Sequence, residues 1–183
     1  MNEDVLIWIL IGVSGTGKST IGRYFSQYLE CDFLEGDRRH SQANIMKMSS
    51  GKPLEDPDRC QWLADIEADL RWSLSFDREV VITCSALKAE YRKKLTSLGR
   101  VQLVWIDVPT AILKQRLETR EDHYMGAEML MSQIEAFEAI KPAENIITID
   151  GSLSLDDVMS ELISKAIQRF PNLQKPWYKR LID

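Results

Sequence analysis

The sequence predicts a single α/β domain in which a parallel sheet is covered by helices on both faces. Three observations lead to this prediction. Short apolar runs alternate with segments of helical periodicity, several of the runs are apolar on both faces, and a glycine-rich loop joins the first run to the first helix. Strands that alternate with helices form βαβ units, in which the strands are parallel. A chain of 183 residues suffices for one domain with a substantial core.

Five segments have the length and composition of strands. They cover residues 5–11, 32–34, 80–84, 102–108 and 146–149. The second is short, whereas the first and third are apolar almost throughout, as expected of strands that are buried on both faces. No repeat, low-complexity tract or linker divides the chain, so residues 1–183 are predicted to form one domain.

Three further segments carry apolar residues at helical spacing, and two of them have recognisable start signals. The apolar stripes consist of Ile21, Tyr24, Phe25, Tyr28 and Leu29; of Trp62, Leu63, Ile66 and Leu70; and of Leu155, Val158, Met159, Leu162, Ile163 and Ile167. Asp56 and Pro57 are predicted as the N-cap and first-turn residues of the second helix. Ser154 and Asp157 predict a capping box at the start of the last helix.

The composition argues against several functional classes. The net charge of −5 is opposite in sign to that of proteins that neutralise nucleic-acid phosphates. Cys31, Cys60 and Cys84 lie far apart without a histidine cluster nearby, which excludes a disulfide framework and argues against a zinc site. Cys84 ends an apolar run and is predicted to be a buried thiol. The first apolar run is too short for a signal peptide or a membrane span, so we expect a cytoplasmic protein that binds neither nucleic acid nor membrane.

The glycine-rich loop after the first strand predicts a nucleotide site. Residues 12–19, Gly-Val-Ser-Gly-Thr-Gly-Lys-Ser, match G-x-x-x-x-G-K-[ST] at every fixed position, between a predicted strand and a predicted helix. Backbone N–H groups of such a loop point at one phosphate, and the helix that follows adds the positive end of its dipole. Lys18 is expected to reach the β- and γ-phosphates, and the Ser19 hydroxyl to bind Mg²⁺. The residues assigned to the nucleotide are Gly12, Val13, Ser14, Gly15, Thr16, Gly17, Lys18, Ser19 and Thr20.

The loop identifies a nucleotide site but no reaction. A regulatory GTPase requires Asn-Lys-x-Asp and Asp-x-x-Gly motifs, and neither occurs in the chain. An ATP-driven motor requires an acidic residue at a strand end, and Asp107 is the best candidate for that alternative. Acidic, basic and amide side chains concentrate instead between residues 35 and 62 and between residues 84 and 92, which suggests a small second substrate. A nucleotide-dependent switch protein would not need this cluster.

Segments in and around these two regions carry a specific combination of residues. They are Glu35-Gly36-Asp37 with His40, Asn44-Ile45 with Lys47-Met48, Gly51-Lys52-Pro53-Leu54, Asp56-Pro57-Asp58-Arg59 with Trp62-Leu63, and Cys84-Ser85-Ala86-Leu87-Lys88 with Tyr91-Arg92. The combination resembles the gluconokinase family, small P-loop kinases that phosphorylate D-gluconate at its 6-hydroxyl. Arg116, Arg120, His123 and Ser132-Gln133 continue the resemblance, which covers about residues 5 to 150. Glu35 departs from the family's usual Asp, which bears more on substrate preference than on reaction type.

The resemblance implies a shikimate-kinase-like P-loop kinase fold with a five-stranded parallel sheet, a mobile substrate-side region and a lid near residues 120–127. It also implies ATP and Mg²⁺ as cofactors, D-gluconate as the acceptor and a homodimer. The C-terminal tail, residues 171–183, is expected either to pack on the domain or to contact a second chain. A kinase of another acceptor, such as shikimate, a related sugar acid or a nucleoside monophosphate, is an alternative, as is the nucleotide-dependent switch.

The resemblance further implies roles for residues on the acceptor side. Asp37 is expected to accept or orient the proton of the 6-hydroxyl, and Glu35 to hold a magnesium-bound water. A planar guanidinium suits a carboxylate, so Arg59 is expected to bind that group of gluconate. Lys88 and Arg92, four residues apart, are expected to face the same cleft. For each of these side chains, a solvated surface position is the simpler alternative.

Further roles fall to the histidines and to the lid. His40 and His123 both lie beside charged residues rather than on an apolar stripe, and they are expected to hydrogen-bond the polyol. Arg116 is predicted to stack on adenine, and Arg120 to neutralise the transferring phosphoryl group. With Lys18 and Asp37, Arg120 completes the predicted catalytic set, because phosphoryl transfer depends on positioning and charge stabilisation.

Overall fold

The computed structural model describes residues 6–118 and 127–174. The strands in these ranges are β1 (Ile7–Ile11), β2 (Asp32–Glu35), β3 (Val80–Thr83), β4 (Val101–Asp107) and β5 (Ile147–Asp150). The α-helices are α1 (Lys18–Leu29), α2 (Gln42–Ser49), α3 (Asp56–Ser75), α4 (Ala89–Thr96), α5 (Thr110–Glu118), α6 (Ala127–Ala136) and α7 (Leu155–Arg169). Short 3₁₀ helices span Gly36–Arg39, Pro142–Glu144 and Pro171–Gln174.

The strands form one sheet in the order β2-β3-β1-β4-β5, and every neighbouring pair is parallel. The predicted α/β class and all five predicted strands are confirmed, with bounds shifted by at most two residues. β1 lies at the centre, where Ile9 stands opposite Ile82 of β3 and Leu103 of β4. The carboxyl ends of β1, β2 and β3 therefore lie side by side, at the edge where ligands bind in open α/β sheets.

The two faces of β1 belong to two separate hydrophobic cores. Trp8 and Leu10 point to the face covered by α1 and α7, whereas Ile7, Ile9 and Ile11 point to the face covered by α3 and α4. This arrangement explains why the first apolar run shows no alternation with polar residues. The indole N–H of Trp8 donates to Glu79 Oε1 at 2.8 Å, which satisfies the one polar group that β1 brings into the core.

Cys84 follows β3 and is fully buried, as predicted. Burial raises the pKa of its thiol to about 12, so the group stays protonated at neutral pH. No helix within the described residues is long and apolar enough to cross a bilayer. Within the described part of the predicted C-terminal tail, Leu173 is buried in the core beside α1 and α7.

The predicted N-cap is confirmed for α7 but is wrong by one residue for α3. Ser154 caps α7: its side chain accepts from the backbone N–H of Asp157 at 3.3 Å and donates to the Asp157 carboxylate at 2.6 Å. The N-cap of α3 is Glu55 rather than Asp56, and its backbone N–H donates to Asp58 Oδ2 at 2.8 Å. Asp56 is already helical, and its carboxylate binds the side chains of Lys88 and Tyr91 instead of capping its own helix.

A tight turn after β2 fixes the position of Asp37. The N–H of Gly36 donates to Thr83 Oγ1 at 3.2 Å, and its carbonyl accepts from Trp62 Nε1 at 2.9 Å. A Cβ atom placed on Gly36 would overlap the carbonyl oxygen of Thr83. The chain can therefore pass this close to β3 only with glycine at this position, and the residue that follows is held at the carboxyl edge of the sheet.

We expect Gly36→Ala to destabilise the protein by about 3 kcal/mol, the upper end of the usual cost of overpacking, because the clash is with backbone rather than with a movable side chain. Gly99→Ala is the matched control. Gly99 has φ 78 and open space around it, so only the left-handed conformation opposes the substitution, at a cost of about 1 kcal/mol. Urea unfolding of both variants measures the difference, and equal losses would contradict the close-packing argument.

Candidate functional site

A cleft with a volume of about 410 Å³ opens at the carboxyl ends of β1, β2 and β3. Its walls come from the loop after β1, the turns after β2 and β3, the start of α3, α5, α6 and the segment that leads into α7. We call residues 12–19 the phosphate loop, and Asp37, His40, Arg59 and Trp62 the acceptor side. The loop and the acceptor side line the same cavity, as the sequence predicts.

The phosphate loop has the backbone that the glycine pattern requires. Gly15 and Gly17 have φ values of 85 and 91, in the left-handed region where a side chain would be strained. Gly17 is the N-cap of α1, so the positive end of this helix points into the cleft. The Thr16 hydroxyl donates to the Val13 carbonyl at 3.0 Å and closes the loop on itself. The loop is thus shaped by its own hydrogen bonds.

Lys18 and Ser19 stand at the start of α1, next to the loop. Lys18 Nζ donates to the carbonyls of Gly12 and Val13, each at 2.9 Å, which holds the ammonium group over the loop. Ser19 Oγ donates to Glu35 Oε1 at 2.8 Å, across a separation of sixteen residues. The structure therefore brings together the two residues that the sequence assigned to Mg²⁺.

A hydroxyl from β3 completes this group of oxygen atoms. Thr83 Oγ1 donates to Glu35 Oε1 at 2.6 Å. Within residues 6–118 and 127–174, no three His, Cys, Asp or Glu side chains are clustered to hold a metal ion by themselves. One carboxylate and one hydroxyl beside a phosphate site fit Mg²⁺, which keeps most of its water and completes its shell with substrate phosphate oxygens.

Arg116, on α5, contacts the middle of the phosphate loop. Its guanidinium donates from Nη2 to the Gly151 carbonyl at 2.8 Å and from Nη1 to the Gly15 carbonyl at 3.4 Å. The side chain thus connects α5 to the loop and to the turn after β5. Leu153, Leu155 and Val158 provide an apolar lining on this side of the cleft.

The acceptor side is built on the 3₁₀ helix after β2 and on the first turns of α3. The His40 ring stacks on Trp62, with the ring centroids 4.7 Å apart and the planes 9° from parallel. Within the described residues His40 Nδ1 is buried without a hydrogen-bond partner. Burial is the main cause that lowers the pKa of His40; Arg59 lowers it further, whereas Asp37 opposes the shift. The imidazole is therefore neutral at physiological pH.

Asp56 connects the acceptor side to α4. Its carboxylate accepts from Lys88 Nζ at 2.7 and 2.5 Å and from the Tyr91 hydroxyl at 2.5 Å, and it lies 3.8 Å from Arg59 Nη1. The hydrogen bond from Lys88, followed by that from Tyr91, lowers the pKa of Asp56. Burial raises the pKa of Tyr91 to about 12. Lys88 thus stands behind Arg59, joined to it through a carboxylate, rather than in the cleft wall itself.

The structure does not place Arg92 in the cleft, contrary to the prediction. Its side chain is 1% exposed and forms an ion pair with Glu144. The prediction assumed that Lys88 and Arg92 are one helical turn apart, but Lys88 is the N-cap of α4 and has an extended backbone, with φ −95 and ψ 146. The two side chains therefore leave the chain in different directions.

Gln133 has a contact that the sequence reasoning did not identify. Its side-chain Oε1 accepts from the backbone N–H of Ser14 at 2.7 Å, so α6 is in contact with the phosphate loop. Met129, one turn earlier on α6, forms a small buried cluster with Met48 and Leu54 on the acceptor side of the cleft. In the sequence, Gln133 stands out only as part of the Ser132-Gln133 pair of the family resemblance. That resemblance does not indicate which group Gln133 contacts.

The remaining predicted features lie either outside the described residues or away from the cleft. Arg120, His123 and most of the predicted lid at residues 120–127 lie outside the described residues. Asp107, the candidate of the motor alternative, ends β4 and does not line the cleft; its carbonyl accepts from Gly151 N at 2.8 Å. Burial raises the pKa of the Asp107 carboxyl, and the nearby Asp150 raises it further.

Comparison with known proteins identifies relatives that cover most of the chain. The family model of the AAA domain matches residues 7–140. The gluconokinase of Gluconobacter oxydans (strain 621H) is 41% identical over 156 residues, which cover 85% of this chain and 88% of that protein.

Solved structures give the same picture. A gluconokinase from Sinorhizobium meliloti 1021 is similar with a TM-score of 0.83 at 32% identity, over 95% of this chain and 98% of that one. The shikimate kinase of Aquifex aeolicus vf5 is similar with a TM-score of 0.61 at 20% identity, over 86% of this chain and 94% of that one. At this lower identity the likeness shows the fold alone.

We expect the lowered pKa of His40 to make the acceptor side sensitive to acid. The unfolded chain binds a proton at His40 below about pH 6.5, whereas the folded protein binds it only at lower pH. Stability is therefore fully present above pH 6.5, falls as the pH drops through 6.5, and stops falling below the pKa of the folded state. Urea unfolding at pH values from 7.5 to 5 measures this change. The free energy of unfolding should fall more steeply with decreasing pH in the wild type than in His40→Phe, whose side chain keeps an aromatic ring but cannot be protonated. Equal slopes would show that His40 is not buried in its neutral form.

Proposed function

The chain belongs to the gluconokinase family, and from this membership we propose that it transfers the γ-phosphoryl group of ATP to the 6-hydroxyl of D-gluconate, giving 6-phospho-D-gluconate and ADP. The observation that carries the proposal is that one cleft combines a complete phosphate loop with the acceptor residues of the family motif. Asp37, His40 and Arg59 all line the cavity that Lys18 and Ser19 line. The residues of the cleft wall are therefore suited to bind both a nucleotide and a second small polar molecule.

The phosphate loop supplies binding and charge stabilisation. Its N–H groups and the start of α1 surround the β-phosphate, and Lys18 adds a positive charge. Lys18 Nζ already lies within hydrogen-bond distance of two loop carbonyls, so reaching the phosphates requires only a local movement of a flexible side chain. Arg116 borders the apolar side of the cleft and is assigned to the nucleotide, where adenine stacks against its guanidinium.

The acceptor chemistry falls to Asp37. In the transfer the 6-hydroxyl oxygen of gluconate forms a bond to the γ-phosphorus, while the bond from that phosphorus to the bridging oxygen of ADP breaks. The proton of the hydroxyl passes to the Asp37 carboxylate. The tight turn at Gly36 holds Asp37 at the carboxyl edge of the sheet, opposite the start of α1.

Mg²⁺ is part of the proposal as the cofactor that accompanies ATP. Ser19 and Glu35 are the residues that would hold it, Ser19 through its hydroxyl and Glu35 through a bound water. The ion supplies neutralisation of the phosphate charge during transfer. Thr83 and Arg23 orient the Glu35 carboxylate, through a hydrogen bond of 2.6 Å and an ion pair of 3.8 Å.

Recognition of the gluconate carboxylate is assigned to Arg59. Its side chain is 16% exposed and lines the cleft, while Lys88 stands behind it and Asp56 lies between them. The Arg59 guanidinium is the positively charged group that an incoming carboxylate would contact. Asp56 also restrains both basic side chains, so less side-chain entropy is lost when the ligand binds.

The remaining elements of the proposal rest on the family. Arg120 and His123, from the predicted lid, are assigned to the transferring phosphoryl group and to the polyol. The homodimer is proposed from the resemblance. A cytoplasmic location is supported by three free cysteines, Cys31, Cys60 and Cys84, which suit a reducing compartment.

The proposal predicts that ADP release depends on gluconate. A coupled assay with ATP, Mg²⁺ and a panel of sugar acids, shikimate and nucleoside monophosphates should show turnover with D-gluconate and a low basal rate without an acceptor. Lys18→Ala should reduce kcat at least about 100-fold, because it removes charge stabilisation of the transferring group, and leave the thermal unfolding temperature nearly unchanged. Lys114→Ala, on the exposed surface of α5, is the control. A basal rate that ignores gluconate would favour the nucleotide-dependent switch instead.

The carboxylate assignment predicts discrimination against glucose. A site built for a charged group rejects an analogue that lacks it, so kcat/KM for gluconate should exceed that for glucose by about 10⁴-fold. Arg59→Ala should lower kcat/KM for gluconate by roughly 10- to 100-fold, the equivalent of a charge-assisted hydrogen bond, and affect glucose far less. Arg71→Ala, on the exposed face of the same helix, provides the matched control. Similar values for both sugars in the wild type would contradict carboxylate recognition and leave the nucleotide site unaffected.

A further inference from the structure

Arg92 is the one arginine of the described residues whose side chain is almost completely buried, at 1% exposure. Nε and Nη2 donate to the two oxygens of Glu144, at 2.5 and 3.0 Å. Nη1 donates to the carbonyls of Leu87 and Ala86, at 2.9 and 3.3 Å. A buried ion pair stabilises a fold little better than apolar side chains of the same volume, so stability alone does not account for it.

The two carbonyls that Arg92 binds belong to a strained turn. Residues 84–88 connect β3 to α4, and within them Ala86 has φ 41, in the left-handed region that non-glycine residues rarely adopt. Arg92 Nη1 bridges the carbonyls of residues 86 and 87 and so fixes the orientation of both peptide groups. The guanidinium is the side chain best suited to this, because its donors are rigid and planar.

This turn forms part of the cleft wall. Ser85 and Leu87 line the cavity, and the Ser85 carbonyl accepts from the N–H of Gly12 at 3.3 Å, at the start of the phosphate loop. Lys88, which follows Leu87 in the turn, donates a hydrogen bond to Asp56 on the acceptor side. A change in the turn would therefore displace contacts to both sides of the cleft.

The same guanidinium connects the turn to the segment after α6. Glu144 belongs to the 3₁₀ helix Pro142–Glu144, and its hydrogen bonds from Arg92 are the main cause that lowers its pKa. The N–H of Glu138 donates to the Leu87 carbonyl at 2.9 Å, and its carboxylate accepts from the N–H of Ala89 at 2.8 Å. The Phe137 ring lies 5.7 Å from the Arg92 guanidinium. Arg92 thus lies where the turn and this segment meet.

We propose that Arg92 is a positioning residue for phosphoryl transfer: without touching either substrate, it holds the turn of residues 84–88, left-handed at Ala86, in the conformation that places Ser85 and Leu87 in the cleft. The inference rests on the proposed function for its catalytic consequence. Its structural part, the restraint of the turn, is independent of which acceptor the enzyme uses.

The test first replaces both members of the Arg92–Glu144 ion pair by neutral side chains, so that no unpaired charge is left buried. It then removes the backbone strain at Ala86. Arg92→Met combined with Glu144→Gln should lower kcat/KM for gluconate about tenfold, the scale set by a non-glycine residue in the left-handed region. Adding Ala86→Gly should recover at least about threefold of that loss, because glycine adopts positive φ without strain. Ala86→Gly alone is the reference for the recovery.

A second ion pair offers the matched control. Arg100 and Asp77 are 3.3 Å apart at the amino end of β4, the end of the sheet opposite the cleft, and Arg100 also has positive φ. Arg100→Met with Asp77→Asn should lower the unfolding temperature and leave kcat/KM within about twofold, since it does not touch the cleft. Should the Arg92 double variant fail to fold, Arg92→Lys serves, because it keeps the charge beside Glu144 and lacks the second arm of the guanidinium.

Hydrogen exchange gives a readout that does not depend on turnover. The amides of Ala89 and Glu138 should exchange at least about tenfold faster in the Arg92 variant than in the wild type. In the Arg100 control they should exchange at the wild-type rate. Slow exchange at both amides, or loss of activity that Ala86→Gly fails to recover, would overturn the proposal and leave Arg92 a purely structural residue. If the wild type itself did not phosphorylate gluconate, the proposed function would fail, whereas the exchange rates would still decide whether Arg92 holds the turn.

Discussion

The site depends on a central strand that is buried on both faces and paired on both edges. Every residue of β1 is fully buried, and the strand is paired with β3 on one side and β4 on the other. A phosphate loop has little packing of its own, so its shape is imposed at its two ends. It leaves β1 at Gly12, whose N–H is bound to Ser85, and it enters α1 at Gly17. The N–H groups are therefore aimed before a phosphate arrives, and ordering them is part of folding rather than of binding.

The sheet order then decides which side chains meet. Ser19 follows β1, Thr83 ends β3 and Glu35 ends β2, and β3 lies between the other two strands. The Thr83 hydroxyl accepts from the N–H of Gly36 and donates to the Glu35 carboxylate. One hydroxyl at the end of the middle strand thus orients the carboxylate assigned to Mg²⁺ and anchors the turn that carries Asp37. A different strand order would separate these groups by the width of a strand, about 5 Å.

The sequence predicts the parts of this structure that depend on local patterns. Apolar runs mark β1 and β3 most clearly, because a parallel strand buried on both faces has no polar side, and the phosphate loop follows from glycine spacing. Predictions that depend on the residue at which a helix begins are less accurate. Lys88 and Arg92 have the spacing of helix neighbours, but Lys88 precedes α4 in extended conformation. Glu55 rather than Asp56 caps α3, and the Asp56 carboxylate binds Lys88 and Tyr91 instead, which no local pattern reveals.

Contacts between distant segments are the part that one sequence cannot supply. The Gln133–Ser14 hydrogen bond joins residues 119 positions apart, and the Arg92–Glu144 pair joins residues 52 apart. Both involve ordinary polar side chains whose partners are chosen by the packing of whole helices. The family motif contains Gln133 and Arg92, so it indicated that these residues matter, but it did not say whether each would face a ligand or another part of the chain.

The position of α6 has a consequence for how the two substrates influence each other. Gln133 on this helix holds a phosphate-loop amide, while Met129 packs against Met48 and Leu54 on the other side of the cleft. A nucleotide that shifts α6 through the Gln133 contact would also move Met129, because both side chains are carried by the same helix. By thermodynamic linkage, whatever factor ATP imposes on the affinity for the acceptor, the acceptor must impose on the affinity for ATP. A single helix of ten residues thus provides a physical connection between the two sides of the cleft.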